Sequence, residues 1–261
     1  MTERGPRSAP FLTALGICAV LIFTGLVALG LWQVERRAWK LDLIDKVDQR
    51  VHALPVAAPG PGQWSQVSAA SDEYRRVSAT GTLLLDRETL VQATTALGGG
   101  YWVLTPLQRA DGSIVLINRG FVPPERRDRA NRSDEAPTGE TVITGLLRIT
   151  EPGGSFLRHN DPAAHRWYSR DVQAIAAARG LDQVAPFFID QEAPAGQGAA
   201  SPKTQAWPIA GLTVISFPNN HLSYAITWFA LALMIVAAAW YVARDELRVR
   251  RARMREDARH D

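Results

Sequence analysis

The chain has 261 residues, 46% of them hydrophobic, enough for one sizeable domain plus a few membrane spans. Its net charge of +3 resides at the ends. Residues 1–10 carry +1 and residues 243–261 carry +2, which leaves a neutral middle of 20 basic and 20 acidic residues. A neutral domain argues against nucleic acid as a partner. The single cysteine, Cys18, excludes an intrachain disulfide framework and reads as a small buried residue.

From the N-terminus, residues 1–10 form a short basic segment. Phe11 to Trp32 then runs 22 residues without a charge. Hydrocarbon of about 30 Å needs roughly 20 helical residues, so this run spans a membrane. It is longer than the core of a cleaved signal peptide. The helix is expected to continue through residues 33–53. Trp39, Leu43, Val47 and Val51 repeat every four residues, and Pro55 ends the pattern. Arg36, Arg37 and Lys40 stand just beyond the span. They either snorkel to lipid headgroups or contact an anionic ligand.

Ala57 to Gly62 reads as a linker. Strands are expected over Tyr74–Leu85, Thr89–Ala93, Tyr101–Leu107, Ile114–Val122, Thr141–Ile149, Phe187–Asp190 and Leu212–Phe217, all rich in β-branched and aromatic residues. Ala110 to Ser113 makes a hairpin turn, and Gly98-Gly99-Gly100 a flexible one. Arg126 to Pro137 is a polar loop. Arg170 to Arg179 is a helix stopped by Gly180, and Glu192 to Pro202 a Gly/Ala/Pro linker. Many short strands with one helix favour an antiparallel sheet or partly closed barrel over a parallel α/β fold. Residues 33–221 therefore form an α+β domain between two transmembrane helices.

Leu222 to Val242 is the second span, 21 residues without a charge, with aromatic residues near both ends. Seven arginines follow it in residues 243–261. Around the first span the basic residues favour the opposite orientation, but the second bias is larger, and long loops translocate largely regardless of charge. Both termini are thus expected in the cytoplasm and residues 33–221 outside it.

Signatures of catalysis are missing: no nucleophile elbow, Walker loop, dinucleotide fingerprint or zincin motif occurs. His159 and His165 flank Asn160-Asp161-Pro162 and read as loop residues. His221, at the outer mouth of the second span, is either an interfacial anchor or a metal ligand such as haem takes. Ala225, Trp228 and Ala232 share its helical face. Either they leave room for a flat ring, with Trp228 stacking on it, or the alanines pack against Ala14, Cys18 and Gly25 of the first helix.

Five blocks, in order between and across the spans, resemble the SURF1 family. They are Leu29-Gly30-Leu31-Trp32-Gln33-x-x-Arg36-x-x-Trp39-Lys40; Tyr74-Arg75-Arg76-Val77 with Gly81; Val115 to Pro123 around Asn118-Arg119-Gly120; Trp167-Tyr168-x-Arg170-Asp171; and Pro218-Asn219-Asn220-His221-Leu222-x-Tyr224-Ala225-x-Thr227-Trp228. Phe121 departs from the family's usual tryptophan. The resemblance implies an inner-membrane assembly factor for cytochrome c oxidase, with a periplasmic domain and no enzymatic turnover. It implies that haem a is helped into the catalytic subunit, subunit I, with His221 as axial ligand. Trp228, Tyr224, Arg36, Arg37 and Lys40 are the accompanying candidates. A rival expectation is a scaffold that steadies subunit I or haem A synthase in the lipid membrane without binding haem.

Overall fold

A computed structural model describes residues 7–132, 137–155, 157–193, 207–213, 215, 217 and 219–260. Its internal contacts define two units, Met1–Ile44 with Ser216–Asp261, and Asp45–Ile215.

The first unit is a pair of long helices, both long and apolar enough to cross a membrane. Helix α1 runs unbroken from Ala9 to His52, and its last turns, from Asp45 on, belong to the second unit. The C-terminal helix (α4, below) runs from His221 to His260, so the Arg-rich tail continues the helix of the second apolar run. The pair is antiparallel. Gln33 meets His221 at one end, and Arg7 donates its backbone N–H to Glu246 at the other, 3.3 Å away. On α1 the shielded positions Leu12, Ala19, Leu26 and Gln33 recur every seven residues, with Gly30 beside them. On α4 they are His221, Ala225, Trp228, Ala232, Ile235, Val242 and Glu246, alternately four and three apart apart from one turn at Ala239. A seven-residue repeat is the seam of two helices in a left-handed supercoil. The seam thus uses Leu26 and Gly30 where the sequence suggested Ala14, Cys18 and Gly25. Cys18 is exposed, not buried. The outward faces of both helices are apolar: Val20, Leu21, Leu233 and Met234 are all exposed.

The second unit is a barrel. Its strands are β1 (Val56–Ala57), β2 (Arg76–Leu83), β3 (Thr89–Thr95), β4 (Gly98–Gln108), β5 (Ile114–Val122), β6 (Glu140–Ile149), β7 (Gly154–Ser155), β8 (Arg158–His159) and β9 (Val184–Gln191). The helices α2 (Ala69–Asp72) and α3 (Val172–Arg179) punctuate them before α4 (His221–His260). The main sheet has the order β1-β2-β6-β9-β5-β4-β3, and a further β2–β4 pairing closes β2, β6, β9, β5 and β4 into a ring. Within it β5–β9 is parallel and every other ring pair antiparallel.

The core follows from strand alternation. Val77, Leu107, Val115, Ile117, Ile143, Leu147, Phe187 and Ile189 come from all five ring strands and fill the interior. The alternate residues Leu104, Ile114, Leu116 and Phe188 point outward, under Val172, Ile175 and Ala176 of α3 and under Trp167. Strand β5 is buried along its whole length, which is why Ile114–Val122 is a nearly continuous apolar run rather than an alternating one. Asp171 caps α3 through the backbone N–H of Ala174, and Gly180 ends it in the left-handed region.

Three sequence expectations change. Gly98-Gly99-Gly100 is not a turn but the first part of β4, paired with Ala93–Thr95. Ala57–Gly62 is not a simple linker. Ala57 ends β1, Ala58 is buried in the barrel core, and a 3-10 turn starts at Pro61, as proline at a first helical position favours. Among the described residues of 212–217 there is no strand. Just before it, Ile209 bridges to Phe121 and Gly211 donates its N–H to Gln191, and within it Thr213 donates its hydroxyl to Asp190, but no ladder forms, because β5 and β9 already have a neighbour on each side. The rest of the Glu192–Pro202 linker, after Ala193, and residues 133–136 of the Arg126–Pro137 loop lie outside the described residues.

Candidate functional site

His221 is the first residue of α4, half-buried in the helix seam. Its Nδ1 lies 2.7 Å from Oε1 of Gln33, a residue only 9% exposed. Three further polar atoms in this unit are buried with no hydrogen-bond partner among the described residues: Asn219 Oδ1 and Trp228 Nε1 on the His221 side, and Arg7 Nη1 at the other end of the pair. Trp228 is two turns along α4 from His221 and shares its seam face. Buried polar atoms without partners are unusual in a finished core.

The remaining sequence candidates fall on both sides of this seam. Arg37 and Lys40 are half-buried, at i+4 and i+7 from Gln33 and hence on its face of α1. Arg36 is turned out, with its guanidinium 4.0 Å from the ring centre of Trp39. Tyr224 is 56% exposed. Ala225 and Ala232 are 2% and 3% exposed, and Gly30 lies so close to the Phe229 ring that an added Cβ would sit 2.6 Å from it. The small residues therefore allow close helix packing, and no flat ring fits between the helices at that level. A ring on His221 would have to lie at the seam's open end or on its lipid-facing side.

Gln33 was the functional candidate missed from sequence. Its signal was a lone amide directly after 22 uncharged residues, where a polar side chain has to find a partner.

In the barrel, residues of three motif blocks meet around Asp190, which is 3% exposed. Its carboxylate accepts from Asn118 Nδ2 at 2.7 Å, Arg148 Nη1 at 2.8 Å, Thr213 Oγ1 at 3.0 Å and Arg170 Nη1 at 3.2 Å. Arg148 also donates to Glu73 at 2.8 Å and lies over the Tyr74 ring at 4.8 Å. Arg170 is held by Glu151 and lies 4.6 Å over the Phe188 ring. Burial alone would raise the Glu151 carboxyl, but the Arg170 guanidinium that donates to it holds it below its usual range. A cleft of about 400 Å³ opens beside this cluster. Because its charges satisfy one another, the cluster reads as an internal brace tying β5, β6 and β9 to the loop before α3. His159 and His165 belong to no metal-binding group among the described residues.

A closed five-stranded barrel whose sequence lies between two long apolar helices, with a histidine at the start of the second, defines the class of protein. The chain belongs to the SURF1 family, whose model matches residues 20–233. It is 32% identical to Surfeit locus protein 1 of Rattus norvegicus over 219 residues, covering 78% of this chain and 67% of that protein. To Surfeit locus protein 1 of Homo sapiens it is 32% identical over 221 residues, 78% of this chain and 69% of that one. A SURF1-like protein of Monosiga brevicollis is 32% identical over 231 residues, 83% and 82% of the two chains.

Proposed function

We propose that this chain is an assembly factor for cytochrome c oxidase that carries haem a toward subunit I from a site at His221. Family membership supports the role in oxidase assembly. The observation that carries the finer reading is His221 itself, an imidazole at the head of an apolar helix. Its Nε2 makes no hydrogen bond among the described residues, and the unpartnered Trp228 Nε1 lies on the same face. Neutral imidazole suits iron. Haem supplies a flat apolar ring for lipid or helix faces and two anionic propionates. Arg37 and Lys40, which make no ion pair among the described residues, are the cations on the Gln33 face that such groups would meet. The protein acts as a carrier, not an enzyme, and the barrel lies on the periplasmic side of the inner membrane, where it faces subunit I and haem A synthase.

The closed alanine seam favours a second reading, a scaffold that pairs with oxidase or haem A synthase helices and binds no haem. A visible spectrum of protein purified from cells making haem a separates the two. Wild type should carry haem a, and His221→Ala should lose or strongly shift that spectrum at near-normal abundance. Wild-type protein without haem would support the scaffold. His221→Ala with the wild-type spectrum and affinity would remove this residue as ligand.

A further inference from the structure

We infer that Gln33 is the positioning residue of His221, holding its imidazole in the tautomer with the proton on Nδ1 and the lone pair on Nε2. The metal role of that lone pair rests on the haem reading above, but the tautomer does not. The amide oxygen of Gln33 lies 2.7 Å from Nδ1. A carbonyl oxygen only accepts, so the proton between them belongs to the ring. Neutral imidazole has a single N–H, so Nε2 is left bare.

Two further features make this bond a constraint rather than a passing contact. Gln33 is buried in the seam one turn beyond Gly30, against which the Phe229 ring packs. Swinging its side chain away would leave a buried amide without a partner, which is unfavourable. His221 has no second hydrogen-bond partner among the described residues that would favour the other tautomer. Histidines that bind metals commonly donate their other N–H to a carboxylate or carbonyl, which fixes ring orientation and tautomer. A neutral amide does this without adding charge. It should also leave the ligand less basic than a carboxylate would.

The test uses the full chain in lipid nanodiscs, free of haem, with histidine labelled at both ring nitrogens. Nitrogen NMR distinguishes a protonated from a bare ring nitrogen, and His221→Ala identifies the signal among the five histidines. Wild type should show a protonated Nδ1 and a bare Nε2. Gln33→Leu should give a mixture of tautomers, and Gln33→Glu should restore the wild-type one. On titration with haem a, Gln33→Leu should bind about 10–100-fold more weakly, while Gln33→Glu should bind and shift the reduction potential downward. A wild-type ring protonated on Nε2 would overturn the proposal, as would a Gln33→Leu protein that keeps the Nδ1 proton. If Gln33→Leu does not accumulate, the wild-type tautomer and Gln33→Glu still decide. If wild type binds no haem, the carrier reading fails, and the haem-free spectra still decide the role of Gln33.

Discussion

Gly120 shows how much one residue can fix. It has φ 127°, a region that side chains rarely adopt, and a Cβ there would lie 2.1 Å from the carbonyl oxygen of Ile209. The backbone of Phe121 pairs with Ile209 in both directions at 2.9 Å, so that segment cannot retreat without losing two hydrogen bonds. Gly120→Ala should therefore cost several kcal/mol, and Gly120→Glu more, since it also drives a charge into packed backbone. Thermal melting and membrane abundance check this; normal values for Gly120→Glu would refute it. Asp190→Ala should cost about 3–5 kcal/mol, because it removes the buried carboxylate that Arg148 and Arg170 share and leaves Glu73 and Glu151 as their acidic partners. Glu151 makes stability depend on pH. Its carboxyl is held below the usual range in the fold and is ordinary when unfolded. Its contribution is thus complete above the ordinary carboxylate value of about 4.3 and is lost as pH falls through the depressed one. Denaturation midpoints between neutral and acidic pH should fall more steeply in wild type than in Glu151→Gln. Gly120 could be read in advance because strand-end glycine has a local meaning. Asp190 and Gln33 could not, because their partners lie as far as 72 and 188 residues away in sequence.

At the scale of elements, local patterns carried the strands whose neighbours are near in sequence. Ile114–Val122 has the same bounds in sequence and structure, and the Ala110–Ser113 turn joins it to β4 as expected. The glycine run at 98–100 misled because glycine usually marks turns. Here it opens a strand, and at Gly100 an added Cβ would sit 2.3 Å from the carbonyl oxygen of Val122 across the pair. The run 212–217 misled for a different reason. Its residues favour strands, but whether an edge is open to receive them is decided by barrel closure, a non-local fact. The helix seam was half legible. Small residues on α4 pointed to close packing, yet the sequence did not show which face of α1 receives them, since α1 is apolar all round over its span. The observed seam makes a specific expectation. Ala232 is 3% exposed on α4, so Ala232→Phe should overpack the pair and cost about 1–3 kcal/mol. Leu233→Phe, one residue on and 70% exposed, should be nearly neutral. Melting of the two variants in the same detergent checks the contrast; equal losses would mean the seam lies elsewhere.

At the scale of the whole molecule, orientation decides what the barrel and His221 can reach. The apolar parts of both helices expose large hydrophobic side chains, as lipid-facing surfaces do. α4 continues past Val242 as a helix carrying Arg244, Arg248, Arg250, Arg251, Arg253 and Arg255. Arg7 and Asp245 approach to 3.8 Å, so the start of α1 and the start of the Arg-rich tail lie at the same end of the helix pair and on the same side of any membrane it crosses. That geometry forces a choice between the charge biases of the two spans, because only one of them can be satisfied. Arg36, Arg37 and Lys40, just beyond the first span, lie at the opposite end of the pair from the Arg-rich tail, and the stronger bias predicts that tail in the cytoplasm. On the topology proposed above, His221 stands at the periplasmic surface. Alkaline phosphatase is active only after export, so a fusion near Gly112 should be active and one at residue 261 inactive. The reverse pattern would invert the topology and place His221 at the cytoplasmic surface, away from the periplasmic side on which the carrier proposal puts it. Activity at both positions would mean that the two helices do not cross as a pair, against the Arg7–Asp245 contact.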